Sequence, residues 1–408
     1  MRRAFFHIAV MTMGALALHI SQTAHVHVHA RSSASAFEAT LSAKERKAFN
    51  AYFTAKTFHA ADKDAFWSKV SAKRKKRRAK IRKGGLVTKR DYVTSFPPVY
   101  EGPKLSNALA RKWKAWKNRD AKPGKPKKRK GLPGVSDFLR YAKKYYGFVP
   151  ERIPEREFKR RYARDALRLG LSKDQVVRVY ALETGGNGTA DMQAGIHPIS
   201  KKGRPISSAL GYAQLLNANS TTELVKHGDE FLKRLRRMRD ATTSESRRAS
   251  LGRKITSLRK MLRKAKSIPY SWGRHRKFAR TGPGLGIHAL NLDGDIGPWL
   301  QVIKLKGIKD LAVRKGRPDI DSTELELMNL AGPSTGLEMM SAVGLSMPTV
   351  NFFARRGYER NSVVRGRTST ELLAELKKRM DYNSRNKGAK VFTQVFDELI
   401  ADQKRAAR

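Results

Sequence analysis

Cysteine is absent from the 408-residue chain, so no disulfide can brace it and its stability rests on packing. Acid is scarce: 35 Asp and Glu stand against 86 Lys and Arg, a formal net charge of +51. A surface this cationic attracts polyanions without selecting one. Nucleic acid, anionic lipid and an acidic cell-wall polymer all fit. No internal repeat is present, and few segments alternate as strands do, which points to a mainly α protein. His197, His227, His275 and His288 are scattered without ligand spacing, so no metal or redox cofactor is expected.

The N-terminus narrows the partners. Arg2 and Arg3 precede the apolar run AFFHIAVMTMGALALHI, Ala4 to Ile20, and small-residue sites follow at Ala30 and Ala36. Residues 1–36 therefore read as a secretory signal, with an uncleaved anchor as the alternative. The HVHVHA stretch (His25, His27, His29) is assigned to that segment rather than to a metal site. Export to the periplasm or cell envelope separates the chain from chromosomal DNA, so nucleic acid is not the expected partner.

Residues 37–134 form a basic helical region and linker. Ser42 and Glu45 make a capping box, and Phe49, Tyr52 and Phe53 follow at helical spacing. The run KRKKRRAKIRK, Lys73 to Lys83, reads as a solvated helix face. Asp91 to Leu105 reads as an extended connector, and Trp113 and Trp116 as core. The Pro-, Gly- and Lys-rich stretch from Ala121 to Gly134 marks a domain boundary.

Residues 135–400 have the texture of a helical domain, followed by a basic tail at 401–408. Apolar seams at Phe231, Leu235 and Met238, and at Leu251, Ile255, Leu258 and Leu262, predict a basic antiparallel hairpin inserted at about 228–266. Asp293 and Asp295 flank Gly294 loosely as in a calcium loop, but the full pattern is absent, and Asp295 is expected to pair with an arginine. Phe352, Phe353 and Tyr358 are expected in the core.

One stretch carries chemistry. In ALETGGNG, Glu183 ends an apolar helix behind Tyr180, Ala181 and Leu182. Apolar surroundings and a helix C-terminus both disfavour its charged form, so its pKa should rise, as a general acid requires. Gly185, Gly186 and Gly188 remove side chains just beyond it and would let a bulky substrate approach. Downstream, GYAQLL places Tyr212 and Gln214 at an expected helix start, where a ring and an amide can meet a sugar.

These segments resemble the lysozyme-like lytic transglycosylases. Glu183 matches the catalytic glutamate, with Thr184 in place of the family's serine. Gly211, Tyr212, Ala213 and Gln214 match the Gly-Leu-Met-Gln motif, with Tyr-Ala for Leu-Met. Asn329 in LMNLAGPSTG takes the asparagine of the third motif, which here lacks its tyrosine and has an extra residue before Ala-Gly. The resemblance spans about residues 138–336. It implies a lysozyme-like catalytic domain that cleaves the MurNAc–GlcNAc bond of peptidoglycan. Glu183 would act as acid and then base, with Tyr212, Gln214 and Asn329 positioning the glycan. Lysozyme-type hydrolases need a second carboxylate, and Asp191 is the one near Glu183 in sequence, so a muramidase using both is an alternative. A non-catalytic wall-binding protein of the same fold is another. The positive charge would hold the protein on peptidoglycan, anionic wall polymers or a membrane surface.

Overall fold

The computed structural model describes residues 34–119 and 131–407. The signal assigned to residues 1–36, with its histidines, lies outside the described residues except for 34–36, as does most of the linker at 121–134. Every named element is a helix; among the described residues there are only isolated β-bridges and no strand. No described helix is long and apolar enough to cross a membrane.

The chain forms two compact units, and their boundary differs from the one read in the sequence. Among the described residues the first comprises 34–75 and 95–119, the second 76–94 and 131–407. In the first unit the capping box forms as expected, with Glu45 N donating to Ser42 Oγ at 3.4 Å, and opens α1 (Ala43–Arg82). Phe37, Phe49 and Leu109 make a small core, against which Trp113 and Trp116 of α2 (Asn107–Asn118) pack. The tryptophans are thus core residues.

The last turns of α1 belong to the second unit for a clear reason. Arg77, from the run expected to be solvated, is 1% exposed. Its guanidinium donates to the Asn351 carbonyl at 2.8 Å and pairs with Glu338. The Asn351 side chain accepts from Val93 N at 2.9 Å and donates to Val93 O at 2.8 Å, fastening the start of the connector. One buried cation and one asparagine therefore claim a segment that composition alone assigns elsewhere.

The second unit begins with α3 (Val135–Tyr146), α4 (Glu155–Arg168) and α5 (Lys173–Thr184). The predicted hairpin is present as α6 (Asn217–Asp240) and α7 (Glu245–Lys266). Its seam residues Phe231, Leu235, Leu251, Ile255 and Leu258 join one core with Phe138, Ile287 and Leu300, so its apolar face is part of the main packing. Two short helices follow, α8 (Trp272–Phe278) and α9 (Gly282–His288). Helix α10 (Gly297–Arg314) is buried along most of its length, as its apolar sequence dictates. Then come α11 (Ser322–Ala331), α12 (Pro333–Met339), α13 (Ser369–Asn383) and α14 (Lys387–Ala406). The expected tail mostly continues α14.

Asp293 and Asp295 are already neutralised. Asp295 pairs with Arg161 at 2.7 Å, Arg247 at 2.5 Å and Lys254 at 2.5 Å, and Lys254 also reaches Asp293 at 3.1 Å. Burying two carboxylates is tolerable only with such partners. The cluster ties α7 to the start of α10. Phe352 and Tyr358 are buried, as expected of core residues, while Phe353 is only partly buried.

Candidate functional site

Glu183 stands at the end of α5, where Gly185 takes the left-handed conformation at φ 63°. The glycines after it do not serve substrate access as the sequence suggested. A Cβ on Gly186 would collide with the Asn383 carbonyl oxygen, and one on Gly188 with Thr184. Ala389 N donates to Gly186 O at 2.8 Å, and Asn386 Nδ2 to Gly185 O at 2.8 Å. The glycines let the α13–α14 turn close over the helix end. Thr184 is buried and returns its hydroxyl to Tyr180 O at 2.7 Å.

GYAQLL is a turn rather than a helix start. Leu210 and Leu215 exchange two backbone hydrogen bonds of 3.0 Å, and α6 begins only at Asn217. Gly211 sits at φ 78° against Gln301, where a Cβ would clash with the amide. Gln214 has φ 41°, a strained value for a residue with a side chain. Its Nε2 donates to Gly211 O at 2.8 Å and to Met192 O at 3.2 Å, which holds the turn. Oε1 is then the atom it can offer to a ligand.

Glu183, Gln214 and Asn329 line one cleft of about 700 Å³. That size suits a small molecule or a few sugar rings. Lys304 from α10 and Glu223 and His227 from α6 line it too. Trp272 and Arg314 stand at its walls, with Trp272 about half exposed.

Asn329 is the hub of the floor. Its Nδ2 donates to Glu183 Oε1 at 2.9 Å and to Glu326 Oε2 at 3.1 Å. Its Oδ1 accepts from Lys304 Nζ at 2.5 Å. Both of its N–H groups and its carbonyl oxygen are engaged by ionisable neighbours, so it holds the acid in place. Burial pushes the Glu183 carboxyl up to about 7, against the pull of Lys304 and of hydrogen bonds from Glu326 and Asn329. Burial and the neighbouring Glu183 push Glu326 well above the usual carboxylate range. Burial pushes Lys304 down, while Glu183, Glu326 and Glu223 support its charge. A protonated carboxyl beside a cleft at neutral pH can give a proton to a bound leaving group.

Two expected residues lie elsewhere. Tyr212 is 1% exposed and does not line the cleft. Its ring packs among Phe158, Tyr162, Tyr180 and Phe392. Its hydroxyl donates to Glu155 Oε2 at 2.5 Å and accepts from Lys159 Nζ at 3.2 Å. It is a core residue, because the turn that presents Gln214 to the cleft points the neighbouring ring inward. Asp191 is bound by Thr189 Oγ1 at 2.6 Å, Arg152 at 3.0 Å and Lys201 at 3.2 Å. Burial works to raise its pKa, but these donors outweigh it and hold the group at about 2. It does not line the cleft either.

Sequence reasoning missed Glu326 and Lys304. Both interrupt apolar helices, Glu326 between Leu325 and Leu327 and Lys304 between Ile303 and Leu305. A charge flanked on both sides by large apolar residues, three residues before the matched Asn329 in the first case, was the available signal.

Comparison of the chain with protein-family models, with curated proteins and with solved structures yields no match.

Proposed function

We propose that this protein is an exported enzyme that cleaves the MurNAc–GlcNAc bond of peptidoglycan by the single-glutamate route of a lytic transglycosylase. One observation carries the reading: a half-buried Glu183, its pKa raised to about 7, on the floor of a cleft that Gln214 shares. Glu183 gives its proton to the glycosidic oxygen as the bond breaks. It then takes the proton of the muramic 6-hydroxyl as that oxygen closes the anhydro ring. Glu326 is 2% exposed and does not line the cleft, so it cannot reach a bound sugar. It therefore does not act as the second carboxylate of a hydrolase.

The positive charge holds the enzyme on a mesh rich in carboxylates. Ala34 is buried in the first unit's core, which favours signal cleavage after Ala30 over cleavage after Ala36.

A hydrolytic reading has one observation in its favour. Glu223 lines the same cleft, with Lys226 at 3.3 Å and His227 at 3.7 Å. Mass analysis of digested murein separates the two routes: anhydro ends mark the transglycosylase, reducing ends the hydrolase. Zymography on purified murein tests both. The wild type is expected to clear it and Glu183→Gln is expected not to. A wild type that binds murein without clearing it would establish a non-catalytic wall-binding protein instead.

A further inference from the structure

Glu326 touches no substrate in this mechanism, yet it shares the Asn329 amide with the acid. Lys304 settles the hydrogen-bond directions around it. An ammonium can only donate, so the Asn329 atom beside it is the carbonyl oxygen. Both Asn329 N–H groups are thereby turned onto the two carboxyls, at 2.9 Å from Glu183 Oε1 and 3.1 Å from Glu326 Oε2. Two ionised carboxylates side by side and out of water repel, so one of them must hold a proton. Glu183 opens on the cleft; Glu326 is 2% exposed and has no solvent for an anion. Because Glu326 Oε2 accepts from Asn329, Oε1 is the oxygen that carries the proton.

The charged groups around Glu326 are Glu183 on α5 and Lys304 on α10, and Lys304 in turn is acted on by Glu223 on α6, beside Lys226 and His227. From α13, Met380 packs against α11 one turn before Glu326, where its sulfur accepts from Thr323 Oγ1 at 3.9 Å.

We propose that Glu326 is a neutral positioning residue whose O–H donates to Glu183 and stabilises the anion that Glu183 becomes once it has released its proton. The proposal rests on Glu183 being the general acid. Glu326 neither gains nor loses a proton in the cycle. The proton of Glu183 goes to the leaving oxygen and returns from the attacking hydroxyl, while the Glu326 O–H stays in place. A carboxylic acid kept protonated by burial so that it can donate a hydrogen bond is an established device in active sites.

The test reads the titration of Glu183 without any substrate, so it can fail independently of the enzymatic reading. The full chain is labelled at glutamate carboxyl carbons. The Glu183 resonance is assigned as the one lost in Glu183→Gln. In Glu326→Gln an amide N–H replaces the O–H and no charge changes, so the Glu183 midpoint should stay within about one unit of wild type. In Glu326→Leu the donor is gone, and the midpoint should rise by about one unit or more. A fall of more than about one unit in Glu326→Gln would mean that an anion had been removed, and would overturn the proposal. So would an unmoved midpoint in Glu326→Leu. The glutamine variant alone decides the charge state even if the leucine variant does not fold.

Discussion

Asn329 Nδ2 donates to Glu183 Oε1 at 2.9 Å across 146 positions of sequence. The bond joins the end of α5 to the last turn of α11. It makes the acid's protonation depend on a residue that the cleft hides.

The raised pKa of Glu183 sets a direction for stability. From its ordinary value of 4.5 up to about 7, the folded protein holds a proton that the unfolded chain has released. The group's contribution is complete below the lower value and falls as pH rises through the upper one. Glu183→Gln removes this dependence. The variant should match wild type near the lower pH and exceed it at pH ~8 by up to about 3 kcal/mol. Thermal unfolding at the two pH values checks this.

Activity should follow the same proton. A general acid works only while protonated, so the rate of murein cleavage should hold below about 7 and fall above it. The decline should approach about tenfold per pH unit. A rate that climbs through this window would mark Glu183 as a base in the rate-limiting step.

Removing the hub should damage stability and activity together. Asn329→Ala leaves two buried carboxyls without their shared donor and Lys304 without its acceptor. A loss of about 2–3 kcal/mol in stability is expected from such unpaired groups. Murein turnover should fall about tenfold or more. Urea unfolding and turnover on the same preparation measure both.

Tyr212 should behave as a core residue. Tyr212→Phe keeps the ring packing but removes the hydroxyl held between Glu155 and Lys159. Stability should drop by about 1–3 kcal/mol, because the bonds lost involve charged groups. KM for glycan should not change. A raised KM at unchanged stability would return the ring to the binding surface.

The helical class could be read from periodicity, and the hairpin from its spaced leucines, because both patterns are local. Glu183 was legible for the same reason: its apolar neighbours adjoin it in the chain. Gln214 was found through its motif, but the tight turn between Leu210 and Leu215 was read as a helix start. The direction of Tyr212 followed that error, since a turn and a helix present adjacent side chains differently. Glu326 and Lys304 showed in the sequence only as charges between apolar neighbours, because their meaning depends on three helices meeting. Arg77 likewise looks like any member of a basic run until Asn351 and Glu338 close around it.

The backbone seal at Gly186 has a distant consequence. The helix that ends in Glu183 is seated by a turn about 200 residues further along the chain, through Asn386 and Ala389. Exposed changes in that turn can therefore retune the acid without approaching the sugar. Screens for altered turnover should reach the C-terminal helices as well as the walls of the cleft.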